Sequence, residues 1–151
     1  VKMRLEDEIK QKKFKNEFQK TAVNLIYTSN WIDAKFAPLM KEFGLTVQQF
    51  NILRILRGQY PTPATINLLK ERMLDKMSDA SRLVDRLLEK GLLSRQVCDN
   101  DRRRVDILIT QEGLDLLEKI DGHEQRFYAE LNNLTADEAQ ALNSLLDKFR
   151  G

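Results

Sequence analysis

The chain has 151 residues, of which 42% are hydrophobic and 32% charged, and its formal net charge is +2. That length suits one domain, or one domain with dimerising extensions. The near-neutral total excludes a uniformly polycationic protein, so a case for a polyanionic partner rests on where the charges lie. They are segregated. Residues 1–20 carry +3, residues 76–104 carry +3 and residues 111–151 carry −5. One cysteine, Cys98, excludes an intrachain disulfide and fits a reducing compartment. No apolar run approaches the roughly 20 residues of a membrane-spanning helix. The polar, charged start does not read as a signal peptide. A cytoplasmic protein with no membrane partner is expected.

In chain order, residues 1–12 are highly charged and are expected to fray or to extend the first helix. From Phe14, apolar or small residues recur at steps of four or three through Phe18, Ala22, Leu25, Ser29, Ile32, Phe36, Leu39 and Phe43. That stripe is about 45 Å long at about 1.5 Å per residue. It is longer than the small body it would pack on, so part of it must find another surface. Pro38, without an amide hydrogen, should kink the helix or begin a new turn, and Gly44 should end it.

Thr46-Val47-Gln48-Gln49 has the pattern of a capping box and starts a helix with Phe50, Leu53 and Leu56 inward. Gly58 closes it. Tyr60-Pro61-Thr62-Pro63 is an extended break. A short helix follows from about Thr65 to Leu74, with Ile66, Leu69 and Met73 inward. Asp75-Lys76-Met77 turns into a helix from Ser78 to Lys90, whose stripe is Ala80, Leu83, Val84, Leu87 and Leu88. Gly91 stops it, where positive φ is wanted. A short helix, a tight turn and a second helix form a helix-turn-helix.

Two short segments come next. In Leu93, Arg95 and Val97, and in Val105, Ile107 and Ile109, every second residue can face one side of a strand. Between them Asp99-Asn100-Asp101-Arg102 is turn chemistry. Three consecutive arginines, Arg102 to Arg104, repel one another at a hairpin tip and suit a tip that meets polyanion. Thr110 caps a further helix with Leu114, Leu117, Ile120, Phe127 and Leu131 along one stripe. Asn132-Asn133 is a loop. Thr135-Ala136-Asp137-Glu138 is a second capping box, and Leu142, Leu145, Leu146 and Phe149 line the last helix. The fold class is mainly α with a small β-hairpin wing: a winged helix-turn-helix flanked by long N- and C-terminal helices. Residues 1–43 and 111–151 are read as dimerisation helices and residues 46–110 as a DNA-binding lobe, all in one domain.

Arg82, Leu87, Gly91-Leu92-Leu93, Asp101-Arg102-Arg103, Thr110 and Gly113 stand at spacings that resemble the signature of the multiple-antibiotic-resistance-regulator (MarR) family. The resemblance extends from about Phe14 to Phe149. Two positions depart from it: Asp79, where the family prefers a small residue, and Leu88, where it usually has Glu, Ile or Val. The resemblance implies a homodimer on double-stranded DNA. Ser78, Asp79, Ser81, Arg82 and Arg86 would belong to the helix in the major groove. Asp79 would either accept a hydrogen bond from a cytosine amino group or orient Arg82. Arg103 would enter the minor groove, where narrow A·T-rich sequence concentrates negative potential, and Asp101 would brace its guanidinium. Arg102 and Arg104 fall on the other face of the strand and suit phosphate, with plain solvation given equal weight for Arg104. A small aromatic or anionic effector would sit near Tyr27, Trp31 and Phe50, between the dimerising helices and the lobe.

With one cysteine, one histidine and no glycine-rich phosphate loop, the chain is not expected to be an enzyme or to hold a cofactor. His123, in Asp121-Gly122-His123-Glu124, reads as a surface residue and no metal site is expected. Cys98 reads as a small half-buried residue, with no resolving thiol to make it a redox switch. The function expected is sequence-specific transcriptional regulation, as a repressor, by a homodimer on a pseudo-palindromic operator. The alternative is a protein-interaction module that uses the basic wing on an acidic partner.

Overall fold

The structure, a computed structural model, describes residues 3–151. Its elements run α1 (Leu5–Glu8), α2 (Glu17–Glu42), α3 (Val47–Gln59), α4 (Ile66–Arg72), α5 (Ala80–Glu89), β1 (Leu93–Cys98), β2 (Asp101–Ile109), α6 (Gln111–Asp121), α7 (Glu124–Tyr128) and α8 (Ala136–Arg150). The architecture is mostly helical with one two-stranded antiparallel hairpin among the described residues. None of the helices described is long and apolar enough to cross a membrane. Residue contacts group the chain into residues 1–50 and 51–151.

In the N-terminal unit residues 3–12 of the charged start neither fray nor extend the long helix, and residues 1 and 2 lie outside the described residues. The described part holds a separate helical turn, α1, followed by Lys10 at a φ of 56°. Leu5 is buried, Lys20 pairs with Glu6, and the Tyr27 hydroxyl donates to Glu8 Oε2 at 2.8 Å. The periodicity had no means of showing these polar ties. α2 begins where the Asn16 side chain accepts from the Gln19 amide at 2.8 Å, and it runs through Pro38 to Glu42. Gly44, at a φ of 73°, supplies the left-handed residue that ends it. The Thr46 capping box forms in both directions: Gln49 N donates to Thr46 Oγ1 and Thr46 N to Gln49 Oε1, each at 3.1 Å.

The second unit buries one apolar cluster. Ile52, Leu53 and Leu56 come from α3, Leu69 from α4, Ala80, Val84 and Leu87 from α5, and Leu117 and Ile120 from α6. Ile107 and Ile109 supply the hairpin's share. Gly58 lies inside α3, not at its end. Arg57 near the end of α3 donates to both Asp121 oxygens at the end of α6, at 2.6 and 3.4 Å. A further ladder element precedes α4: Ala64 N donates to Ile107 O at 2.9 Å and Ile107 N to Ala64 O at 2.7 Å. This bridge ties the segment after Pro63 to the wing.

The stripe expected to continue from Leu114 to Leu131 is broken. α6 stops at Asp121, Gly122 and His123 turn, and α7 restarts at Glu124. Ile120 and Phe127 are both buried although the helix between them is interrupted. The Thr135 capping box is present, and α8 follows it with no buried residue at all.

Candidate nucleic-acid interface

The turn between α4 and α5 is held by short-range and long-range bonds. Asn51 Oδ1 accepts from Leu74 N at 3.0 Å, and Asp75 Oδ1 accepts from Met77 N at 2.9 Å. Ser78 N donates to Asp75 O at 3.2 Å. The Lys76 ammonium turns back to the carbonyls of Lys70, at 3.3 Å, and Glu71, where it satisfies the end of α4. The turn therefore hands over to α5 on a defined backbone.

α5 starts two residues later than the sequence reading had it. Asp79 is its N-cap, and Asp79 Oδ1 accepts from the Arg82 amide at 3.1 Å. A carboxylate at this position satisfies an orphan amide and faces the positive end of the helix dipole. The departure from the family pattern thus has a local structural cause. Ser78 is half-buried, while Asp79, Ser81, Arg82 and Arg86 are exposed. Arg86 is 3.4 Å from Glu89, and Arg82 enters no ion pair among the described residues. The inner face carries Ala80, Val84 and Leu87, all buried, so the arginines occupy the solvent side. At the other end Gly91, at a φ of 73°, closes the helix, with Leu92 N donating to Leu87 O at 3.1 Å.

The hairpin pairs Leu93 with Ile109, Arg95 with Ile107 and Val97 with Val105, then shifts register so that Cys98 faces Asp101. Its base is buried through Leu93, Ile107 and Ile109, whereas Val97, near the tip, is exposed. Arg102, Arg103 and Arg104 are all exposed. Asp101 does not brace the Arg103 guanidinium: Asp101 Oδ1 accepts from the Arg103 backbone amide at 3.0 Å, which shapes the tip itself. Arg104 Nε lies 3.3 Å from Asp106 Oδ1, two residues on and on the same strand face, so it is neither simply solvated nor wholly free for phosphate. Arg102 and Arg103 enter no ion pair among the described residues. A cleft of about 360 Å³ separates the start of α4, at Thr65 and Asn67, from Asp101, Arg103 and Arg104.

Cys98 is a free, half-buried thiol. Among the described residues no three of His, Cys, Asp and Glu converge as a metal site. Of the residues expected near an effector, Tyr27 is engaged by Glu8, which raises its phenol pKa above the ordinary value. The Lys35 ammonium lies 5.7 Å from the Trp31 ring centroid, and Phe50 is half-buried. The sequence marks Asp75-Lys76-Met77 as a turn but gives no sign of the bonds that hold it, and it does not single out Asn51. The Asp75-x-Met77 turn has a local signature, but Asn51 reaches its partner across 23 positions.

A family model described as MarR family matches residues 43–104, which hold the helix-turn-helix and the wing up to Arg104. The chain is similar to a cysteine-to-serine variant of E. coli MarR solved in complex with operator DNA. The identity is 27%, the match covers 91% of this chain and 98% of that one, and the TM-score is 0.78. It is 30% identical to wild-type apo E. coli MarR, with coverage of 83% and 93% and a TM-score of 0.65. It is 29% identical to a MarR transcription factor from Planctomyces limnophilus, with coverage of 89% and 98% and a TM-score of 0.67. With its arginine-bearing α5 and hairpin tip on this scaffold, the chain belongs to the MarR family of DNA-binding transcription regulators.

Proposed function

We propose that the chain acts as a sequence-specific repressor, as a homodimer on a pseudo-palindromic operator. The observation that carries this reading is the set of exposed arginines on two elements of one unit: Arg82 and Arg86 on α5, and Arg102 and Arg103 on the wing. α5 enters the major groove with Asp79, Ser81 and Arg82 towards base edges, and Arg103 follows the minor groove. Arg102, and Arg104 in competition with Asp106, meet phosphate. The operator complex of the E. coli relative supports the same use of this fold.

The homodimer rests on apolar surface that one copy leaves in water. Phe18 and Ile26 on α2 are 83% and 65% exposed, and Leu145 and Phe149 on α8 are 63% and 53% exposed. Leu142, Leu145, Leu146 and Phe149 recur at helical spacing, so a second copy of the same helix can cover them. A small aromatic or anionic effector near Tyr27, Trp31 and Phe50 would act by favouring one spacing of the two DNA-binding lobes, because a ligand with equal affinity for both states shifts nothing.

Selection of bound duplexes from random DNA tests the reading. The expected product is a near-palindrome with half-site centres about one helical turn apart, roughly 34–36 Å. An asymmetric single site, or sedimentation of a stable monomer at micromolar concentration, would refute the dimeric mode.

A further inference from the structure

The turn that leads into α5 ends on an apolar side chain with nothing to cover it. Met77 is 93% exposed, although its own amide and that of Ser78 are both bonded to Asp75. Its neighbours Lys76, Ser78 and Asp79 are polar, and the Lys76 ammonium is turned away to the end of α4. The backbone is held while the thioether arm stands free at the leading edge of the helix.

We propose, on the reading that α5 enters the major groove, that Met77 reads a thymine in each half-site by packing against its 5-methyl group. Among the standard bases that methyl is the apolar group displayed in the major groove. Methionine is flexible and polarisable and can follow the methyl surface without a demanding fit. A pinned backbone leaves only side-chain freedom to be lost on contact. Leu74, 84% exposed, is the other large apolar residue in this turn. Two side chains offer far less surface than the roughly 800 Å² per partner of a specific protein interface, so a protein is the poorer fit.

The test uses the full chain and the duplex enriched from random DNA. Each thymine is replaced in turn by 2′-deoxyuridine, which removes only the methyl group, and affinities are read by fluorescence anisotropy. The wild type should lose about fourfold per half-site at one symmetric position, the factor for one buried methyl group. Met77→Ala, which loses the contact in both half-sites, should bind the thymine duplex about as weakly as the wild type binds the duplex with uracil at both symmetric positions, and should not distinguish the two. Its unfolding midpoint should be unchanged, since the side chain is exposed. Met77→Leu should keep part of the discrimination. If Met77→Ala weakens thymine and uracil duplexes equally, or if no uracil replacement affects the wild type, the inference is overturned while the regulator reading stands. If no duplex is enriched at all, specific DNA binding itself fails and this contact fails with it.

Discussion

Gly113→Ala should destabilise the protein although it replaces glycine with the best helix former in the first turn of α6. A Cβ at this position would lie 2.5 Å from the Leu92 carbonyl oxygen and 2.6 Å from Ile109 Cγ1. Neither neighbour can yield readily. The Leu92 carbonyl already accepts from Thr110 N at 3.0 Å, and Ile109 is buried at the base of the wing. Thr110 adds to the constraint, since its hydroxyl donates to Gly91 O at 2.8 Å and accepts from Gly113 N at 3.2 Å. Overpacking of this kind costs about 1–3 kcal/mol. The 2.5 Å approach to a backbone oxygen puts the cost at the upper end of that range, and helix propensity returns at most about 1 kcal/mol, so a net loss of about 2 kcal/mol is expected. Gly58→Ala is the matched control, because a Cβ there meets nothing within 4 Å in the body of α3. It should stabilise by about 0.5–1 kcal/mol. Urea unfolding followed by far-ultraviolet circular dichroism, at one protein concentration throughout, measures both. A Gly113→Ala protein as stable as the wild type would refute the close approach of α6 to the wing base.

Asp79→Ala should cost about 1 kcal/mol through loss of the N-cap, whereas Asp79→Ser should stay within a few tenths. Equal thermal destabilisation by both would show that the cap is not what the carboxylate supplies. Lys20 holds the Glu6 carboxyl below its ordinary pKa through a hydrogen bond. The folded state then binds fewer protons than the unfolded state, so the contact stabilises α1 at neutral pH and is lost as pH falls through the folded-state pKa, below the ordinary glutamate range. Hydrogen exchange at the α1 amides should rise there, and Glu6→Gln should remove the dependence. Arg102→Ala should flatten the salt dependence of DNA binding by about one unit. Arg104→Ala should flatten it less, because Asp106 already occupies that guanidinium, and an equal effect would argue against the ion pair persisting near DNA.

Periodicity and caps made much of the fold legible. The stripes of α3 and α5, the capping boxes at Thr46 and Thr135, and the Gly91 stop follow from local rules that tertiary packing did not override, whereas α2 starts at Glu17, after Phe14, and buries only Met40, which lies off its expected stripe. The start of α5 did not follow, because Ser78 and Asp79 are both good cap residues and only the bond to Arg82 N distinguishes them. The break at Gly122 was hidden because Ile120 and Phe127, seven positions apart, keep the same inward side. The Ala64–Ile107 bridge has no strand period to read, since it is one residue long. At the site, the exposed arginines of α5 and the wing were legible from their pattern. Asp101 bonds the Arg103 amide two residues on, the usual Asx-turn contact, and the sequence spacing alone does not separate that bond from one to the guanidinium. The polar ties of α1 to α2 and the Arg57–Asp121 pair join positions far apart in sequence, and no local signal announces such contacts.

On the proposed function, exposed arginines on α5 and the wing tip read duplex DNA specifically. Equilibrium binding of the wild type, Arg82→Ala and Arg103→Ala to the enriched duplex and to a shuffled duplex tests it most directly. The wild type should prefer the enriched duplex by about 10³ or more. Arg82→Ala and Arg103→Ala should each lose roughly 1–3 kcal/mol on that duplex and much less on the shuffled one. A folded wild type that binds both duplexes alike, or arginine variants that weaken both equally, would contradict it.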